Sequence, residues 1–330
     1  MVLHEDTSFA CYSLPGSTNF ELIQGKILKL PICELPTEYG FLIAEFENNR
    51  QAYFLSCLSR KTNPTFQFNV IQDFKSVNIT EANYLDLCKD YINECHLNLN
   101  KIVLSRIKTI PSSFEADQLF HALRNAYPEA FVYLINSPEF GTWIGATPET
   151  LLKRKFDQYS TIALAGTKPL QGNTEWTPKE KNEQQLVTDF IIDELIKLKI
   201  DVNSIGPSTV NAGNLQHICT QIDFKTETKR CKIINALHPT PAVCGLPPLE
   251  AKEKILTSEQ HSRELYTGFL GPINSNNTDH LFVNLRCLKA NNKQLHIYAG
   301  GGITADSNPR DEWNETELKV QTLLGVIEKM

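Results

Sequence analysis

No apolar run in this 330-residue chain approaches the ~20 residues that a membrane-spanning helix needs. The chain also lacks any internal repeat, low-complexity tract or long linker. Basic residues do not cluster: the densest run is Lys153-Arg154-Lys155, which reads as a solvated strand end, and the formal net charge is −6. Such a balance makes nucleic acid a poor partner. It also repels anions, so a site for an anionic substrate must bring its own cations or a metal. There is no G-x-S-x-G, no Walker A loop and no zinc-type spacing. His217, His238 and His261 are scattered, which leaves a histidine metal cage unsupported. The nine cysteines form no Cys-x-x-Cys pair and their number is odd, which suggests reduced thiols in a cytoplasmic setting. His4, Glu5 and Asp6 near the start argue against a secretory signal.

What is present is an ordinary globular composition, 41% hydrophobic and 21% charged. The length allows one large domain or two smaller ones. Phe41 to Glu47 and Gln51 to Cys57 read as a hairpin about Asn48-Asn49-Arg50. Glu81 to Leu97 carries Tyr84, Leu87, Cys88, Tyr91 and Ile92 at helical spacing, with Thr80 as the cap. Strands are expected at Lys101 to Ile107, Phe131 to Asn136, Thr142 to Gly145, Ser160 to Ala165, Leu281 to Leu288 and Gln294 to Ala299. Phe120 to Ala126 reads as helix. The clearest helix spans Thr177 to Leu198: Thr177 caps it, Pro178 takes the first helical position and Glu180 closes a capping box. A last helix starts at Pro309 behind Asn308. Strands and helices intermingle without regular β-α-β alternation. This predicts an α+β fold with mostly antiparallel sheets.

Glu183 heads the apolar stripe of its helix, Leu186, Val187, Phe190, Ile191 and Leu195. A carboxylate facing a core needs a partner or a metal; a wet first-turn carboxylate favoured by the helix dipole fits the same spacing. Glu312, Glu315 and Lys319 share one face of the last helix, and that face continues into Leu323 and Val326. Either a surface ladder or an inward pair of carboxylates suits it. Inward carboxylates on two helices could hold a hard cation such as magnesium. Gly300-Gly301-Gly302 follows a strand, where a turn or bulge is the ordinary reading and close approach to an anion the other. Arg286 falls on the strand face with Phe282, Asn284 and Leu288, where it could clamp a carboxylate or simply meet solvent.

In order, the segments KIVLSR (101–106), WIGATPETLL (143–152), ALAGT (163–167), KEKNEQQLV (179–187), LHPTPAVCG (237–245), ELYTGFLGP (264–272), LFVNLRCL (281–288) and YAGGGITADSNPRDEWNETELK (298–319) resemble the chorismate-utilising enzymes. That family includes isochorismate, salicylate, anthranilate and aminodeoxychorismate synthases. The resemblance covers roughly 100–330, and residues 1–100 match it only loosely. It implies a single domain over 1–330, with antiparallel sheets packed as a sandwich and helices around the outside. Within the family, the details look most like the isochorismate synthases. The lysine of KIVLSR stands where the water-activating base is carried, and Ala165 stands where aminodeoxychorismate synthases place a nucleophilic lysine. Salicylate synthases share the base.

The resemblance assigns Lys101 as general base and Glu149 as general acid. Glu183 and Glu315 would be the main magnesium ligands, supported by Glu180 and Glu312. Gly166, Thr167, His238, Ala242, Arg286, Tyr298, Gly300, Gly301 and Lys319 would line the substrate site. Gln184 departs from the histidine that relatives commonly carry after the first ligand. The reaction implied adds water at C2 of chorismate and expels the C4 hydroxyl. Hydroxide leaves poorly and water attacks weakly, so a proton donor and a proton acceptor are both required. The expected partner is chorismate, with Mg2+ as cofactor. No glutaminase, nucleic acid or membrane partner is expected, and the chain should be a monomer or weak dimer.

Overall fold

The computed structural model describes residues 1–4, 6–70, 74–75, 77–111, 115–170, 175–213, 215–274 and 277–330. Two nine-stranded sheets dominate it. The first runs, in spatial order, Gly245–Leu246, Lys101–Pro111, Gln294–Ile303, Cys287–Ala290, Gly141–Thr147, Phe131–Ser137, Phe9–Ser13, Glu21–Gln24 and Ser59–Thr62. The second runs Val202–Ala212, Leu215–Lys225, Gln158–Pro169, Thr150–Lys155, Thr278–Val283, Phe269–Ile273, Gly40–Ala44, Gln51–Ser56 and Ile27–Pro31. Neighbours within both sheets pair antiparallel. The N-terminal strands up to residue 62 supply one end of each sheet.

The central strands are buried on both faces. Along Phe131–Ser137 every residue is buried. Phe131, Tyr133 and Ile135 point into the layer between the sheets, where Phe131 stacks on Phe282 of the other sheet at 4.2 Å. Val132 and Leu134, on the alternate face, meet helices. Six α-helices are found among the described residues: α1 (Glu81–Leu97), α2 (Ala116–Ala126), α3 (Pro178–Lys197), α4 (Arg230–Leu237), α5 (Pro248–Ser258) and α6 (Pro309–Ile327). Helices α2 and α6 cover the outer face of the first sheet, α3 and α4 that of the second, and α1 and α5 the end of the first near Lys101–Pro111. The fold is therefore a sandwich with helices outside. No described helix is long and apolar enough to cross a membrane.

Both expected helix starts form through their caps. Thr177 Oγ1 accepts from Glu180 N at 3.4 Å, and Glu180 Oε2 accepts from Thr177 N at 2.8 Å. Asn308 Oδ1 accepts from Arg310 N and Asp311 N. Three expectations are corrected. Leu281 to Leu288 is not one strand. Thr278–Val283 belongs to the second sheet and Cys287–Ala290 to the first, and the chain crosses between them at Asn284, Leu285 and Arg286. Arg286 turns the corner at φ 47°, in the left-handed region that bulky residues seldom adopt. The glycine triplet is not a turn: Gly300, Gly301 and Gly302 continue Gln294–Ile303 and pair with Ser105, Leu104 and Val103. Finally, not every thiol is reduced. Cys33 and Cys231, 198 residues apart in sequence, are disulfide-bonded with Cα atoms 5.0 Å apart.

Candidate active site

Three features of the fold build one cavity. The ends of Lys101–Pro111 and Gln294–Ile303 form a floor, α3 and α6 bring carboxylates over it, and the crossing at Arg286 closes a side. Glu149, Gly166, Thr167, Glu183, Ala242, Arg286, Gly300, Gly301, Glu315 and Lys319 all line it. Lys101 lies just behind this lining, 1% exposed, with Nζ 2.8 Å from Glu183 Oε1. A Cβ on Gly302 would sit 2.4 Å from that oxygen and 2.7 Å from Lys101 Cε. Glycine there is thus what allows the pair to form.

Glu149 is 3% exposed. Burial pushes its carboxyl up to about 7, against the opposing pull of Lys101, Arg286 and Lys319. Near neutral pH it holds a proton for much of the time, as a donor to a leaving group must. Lys319 Nζ donates to Gly300 O at 2.8 Å and Glu315 Oε1 at 2.6 Å. Although burial pushes the other way, Lys319 holds the Glu315 carboxyl below its usual range. The site therefore presents a proton-bearing carboxyl, two ion-paired carboxylates and an arginine to one space.

The remaining assigned residues lie off the lining. Glu180 is committed to the cap of α3. Glu312 sits at 2% exposure, bonded to Lys179 Nζ at 2.5 Å and Ser307 Oγ at 2.7 Å; burial and the nearby Glu315 push its carboxyl up. His238 lies behind Thr267, whose carbonyl it meets through Nε2 at 2.9 Å. Burial lowers its pKa to about 4, so the ring is neutral. Tyr298 stacks between Trp143 and Tyr266, at 5.1 and 5.3 Å, and supports the cavity through Tyr266.

Several lining residues have no role in the sequence-based expectations, and two of them, His217 and Tyr266, bring polar groups to the wall. In the sequence His217 is one of three scattered histidines. Its Nδ1 lies 2.7 Å from Gly166 O, an acceptor only, so Nδ1 carries the proton. Nε2 then offers its lone pair to Arg286 Nη2 at 3.4 Å. Burial, and Arg286 after it, lower the His217 pKa to about 3, keeping the ring neutral. The only sequence signal was a polar ring in the apolar alternation of Leu215–Lys225. Tyr266 belongs to the segment ELYTGFLGP (264–272), whose resemblance implies no role for it. Its Oη would be 2.9 Å from a Cβ on Gly300. Gln184 faces inward, with Nε2 2.8 Å from both Thr188 Oγ1 and Thr220 Oγ1.

Among the described residues no group of three or more acidic, histidine or cysteine side chains converges to hold a metal. Magnesium needs fewer: it typically binds one or two carboxylates and keeps several waters. Glu183 and Glu315 are both on the cavity wall and are carboxylates of the kind such an ion takes, each with one oxygen already held by a lysine, Lys101 and Lys319.

The sandwich of antiparallel sheets carries, at the ends of its strands, a cavity rimmed by carboxylates and cations, and the family profile for chorismate binding enzymes matches residues 40–328. The chain belongs to that family. Isochorismate synthase EntC of Escherichia coli K12 is 30% identical over 243 residues, which span 69% of this chain and 62% of that relative. The chain thus matches less than two thirds of that relative's length. The solved structure of DhbC from Bacillus anthracis, described as a 2,3-dihydroxybenzoate-specific isochorismate synthase, superposes with a TM-score of 0.84 at 25% identity and covers 99% of this chain and 97% of that one. MenF of Escherichia coli, the menaquinone-specific isochorismate synthase, gives 0.82 at 19% identity over 98% and 89% of the two chains, a likeness of fold.

Proposed function

We propose that the protein is an isochorismate synthase that adds water at C2 of chorismate and expels the C4 hydroxyl. The observation that carries this reading is Glu149, a buried carboxyl that titrates near neutrality in the same cavity as Arg286, Lys319 and the Glu183 that Lys101 holds. In this reading Lys101, in the fraction of molecules where it has released its own proton and keeps a free lone pair beside Glu183, accepts a proton from the attacking water; Glu149 protonates the departing hydroxyl, and solvent then returns the proton from Lys101 to Glu149. Water enters and water leaves, so the reaction is an isomerisation. Arg286 and the glycine backbone hold the side-chain carboxylate, and a fixed geometry of this kind can contribute several kcal/mol.

Glu183 and Glu315 would hold magnesium. When bound, the ion supplies positive charge to the ring carboxylate. That charge answers the problem of an acidic chain binding a dianion. A menaquinone-specific and a vibriobactin-specific isochorismate synthase among the relatives support a product that feeds menaquinone or siderophore biosynthesis. We place the reaction in the cytoplasm on the strength of the seven free cysteines, against which the single Cys33–Cys231 disulfide counts. A monomer or weak dimer without a glutaminase suffices, because water is the nucleophile.

The test incubates purified protein with chorismate, with and without magnesium, and separates the products by chromatography. Isochorismate formed only with the ion is the expected result. Salicylate fluorescence without a second enzyme would instead make it a salicylate synthase. Binding without conversion would leave a chorismate-binding protein.

A further inference from the structure

Arg263 is one of the largest fully buried side chains, 2% exposed, and it does not line the cavity. Its guanidinium nonetheless reaches three residues that do. Nη2 donates to Val103 O at 2.7 Å, and Nη1 to Val243 O at 2.8 Å and Thr267 Oγ1 at 3.4 Å. Val103, Val243 and Thr267 belong to separate walls: the strand that begins at Lys101, the loop bearing Ala242, and the segment carrying Tyr266. The charge is balanced by Glu259, which takes Nη2 at 2.6 Å and Nε at 2.8 Å in a fork. The same Glu259 Oε1 accepts from Ser105 N at 2.8 Å, farther along the lysine's strand. Phe46 covers the guanidinium, its ring centre 4.5 Å from Cζ.

Burying this ion pair is costly, and its removal would leave backbone carbonyls without donors. Helix-and-sheet bonding alone would satisfy those carbonyls elsewhere in a sandwich. Here one rigid, planar fork with five donors extends the short ladder that pairs Gly245–Leu246 with the lysine's strand and ties the segment carrying Tyr266 to both.

We propose that Arg263, with Glu259 as its counter-ion, is a positioning residue that fixes the three cavity walls relative to one another and so sets the distance from Lys101 to the substrate ring. The inference rests on the isochorismate synthase reading for its kinetic consequence, and on geometry alone for its structural one. Lysine in its place keeps the charge and can pair with Glu259, but a single nitrogen cannot reach Val103, Val243 and both Glu259 oxygens together.

The experiment compares wild type with Arg263→Lys and Glu259→Gln, each checked for folding by circular dichroism. Two quantities are read: steady-state kinetics with chorismate, and hydrogen exchange of the backbone. A misplacement near 1 Å can cost about 100-fold in rate. The folded Arg263→Lys variant should therefore lose at least about tenfold in kcat with KM changed less than about threefold. Exchange should rise at least about tenfold at the Val103 amide, which donates to Cys244 O, and not in α6. Glu259→Gln should fall between the two, and it decides the matter if Arg263→Lys does not fold. A folded variant with wild-type kcat and unchanged exchange would overturn the proposal, as would a loss that active-site titration traces wholly to a smaller folded fraction. If wild type itself leaves chorismate unchanged, the functional reading fails, and the exchange data alone decide whether Arg263 braces the walls.

Discussion

Replacing Glu149 by glutamine separates the two consequences of burying a carboxyl. The side chain keeps its shape and hydrogen-bonding atoms but can neither ionise nor give up an acidic proton. Burial raises its pKa from 4.5 to about 7 in the folded protein. Below pH 4.5 the folded and unfolded states are both protonated, and the group costs nothing. Between 4.5 and 7 the unfolded chain releases its proton while the folded one keeps it, so stability falls as pH rises. Above 7 both forms are ionised and the full cost is present, roughly 3 kcal/mol at about 1.4 kcal/mol per pH unit. Glutamine removes that cost. For a chain of this length the gain corresponds to a rise in Tm of roughly 4 °C at pH 8, fading towards zero near pH 4.5. The measurement is the difference in Tm between Glu149→Gln and wild type across pH 4.5 to 8, which cancels the titration of every other group. Turnover of chorismate should drop by about 100-fold to 10,000-fold, the usual contribution of a general acid. A Tm difference that stays flat with pH would refute the buried-carboxyl argument. Turnover within about tenfold of wild type would refute the acid role.

Lys101→Ala should lose about 100-fold or more in turnover while chorismate and magnesium still bind by calorimetry; near-normal turnover would remove it as the base. Gly302→Ala inserts a methyl group 2.4 Å from Glu183 Oε1 and should separate Lys101 from Glu183, costing at least about tenfold in kcat by the same positional argument. Normal kinetics would mean that the pair is dispensable. Arg286→Lys forfeits the bidentate grip on a carboxylate. It should raise KM by about 10-fold to 100-fold, from a loss of roughly 1.5–3 kcal/mol, and initial-rate kinetics will show whether KM or kcat bears the change. Turnover should vanish in chelator and return with added magnesium, and Glu183→Gln should shift the magnesium titration to higher concentration. Full activity in chelator would reject the metal site.

Local chemistry was legible in the chain itself. The starts of α3 and α6 follow from Thr177, Pro178 and Glu180 and from Asn308 and Pro309, because capping involves residues at most a turn apart. The run Phe131 to Asn136 read as a strand, and the structure shows it buried on both faces. The spacing of Glu183 on α3, and of Glu315 and Lys319 on α6, put each set on one helix face, but spacing could not say whether that face was wet. The tertiary structure decided it by laying α3 and α6 over the ends of two strands, where Glu183 meets Lys101 and Glu315 meets Lys319. It alone broke 281–288 into strands of different sheets, turning Arg286 into the cavity, and it alone kept the glycine triplet in a strand. It also turned His217 from a scattered residue into a support for Arg286, and joined Cys33 to Cys231. Each of these depends on segments far apart in sequence. Periodicity reports which face of an element is apolar, whereas the partner that face meets is settled only when the sheets close.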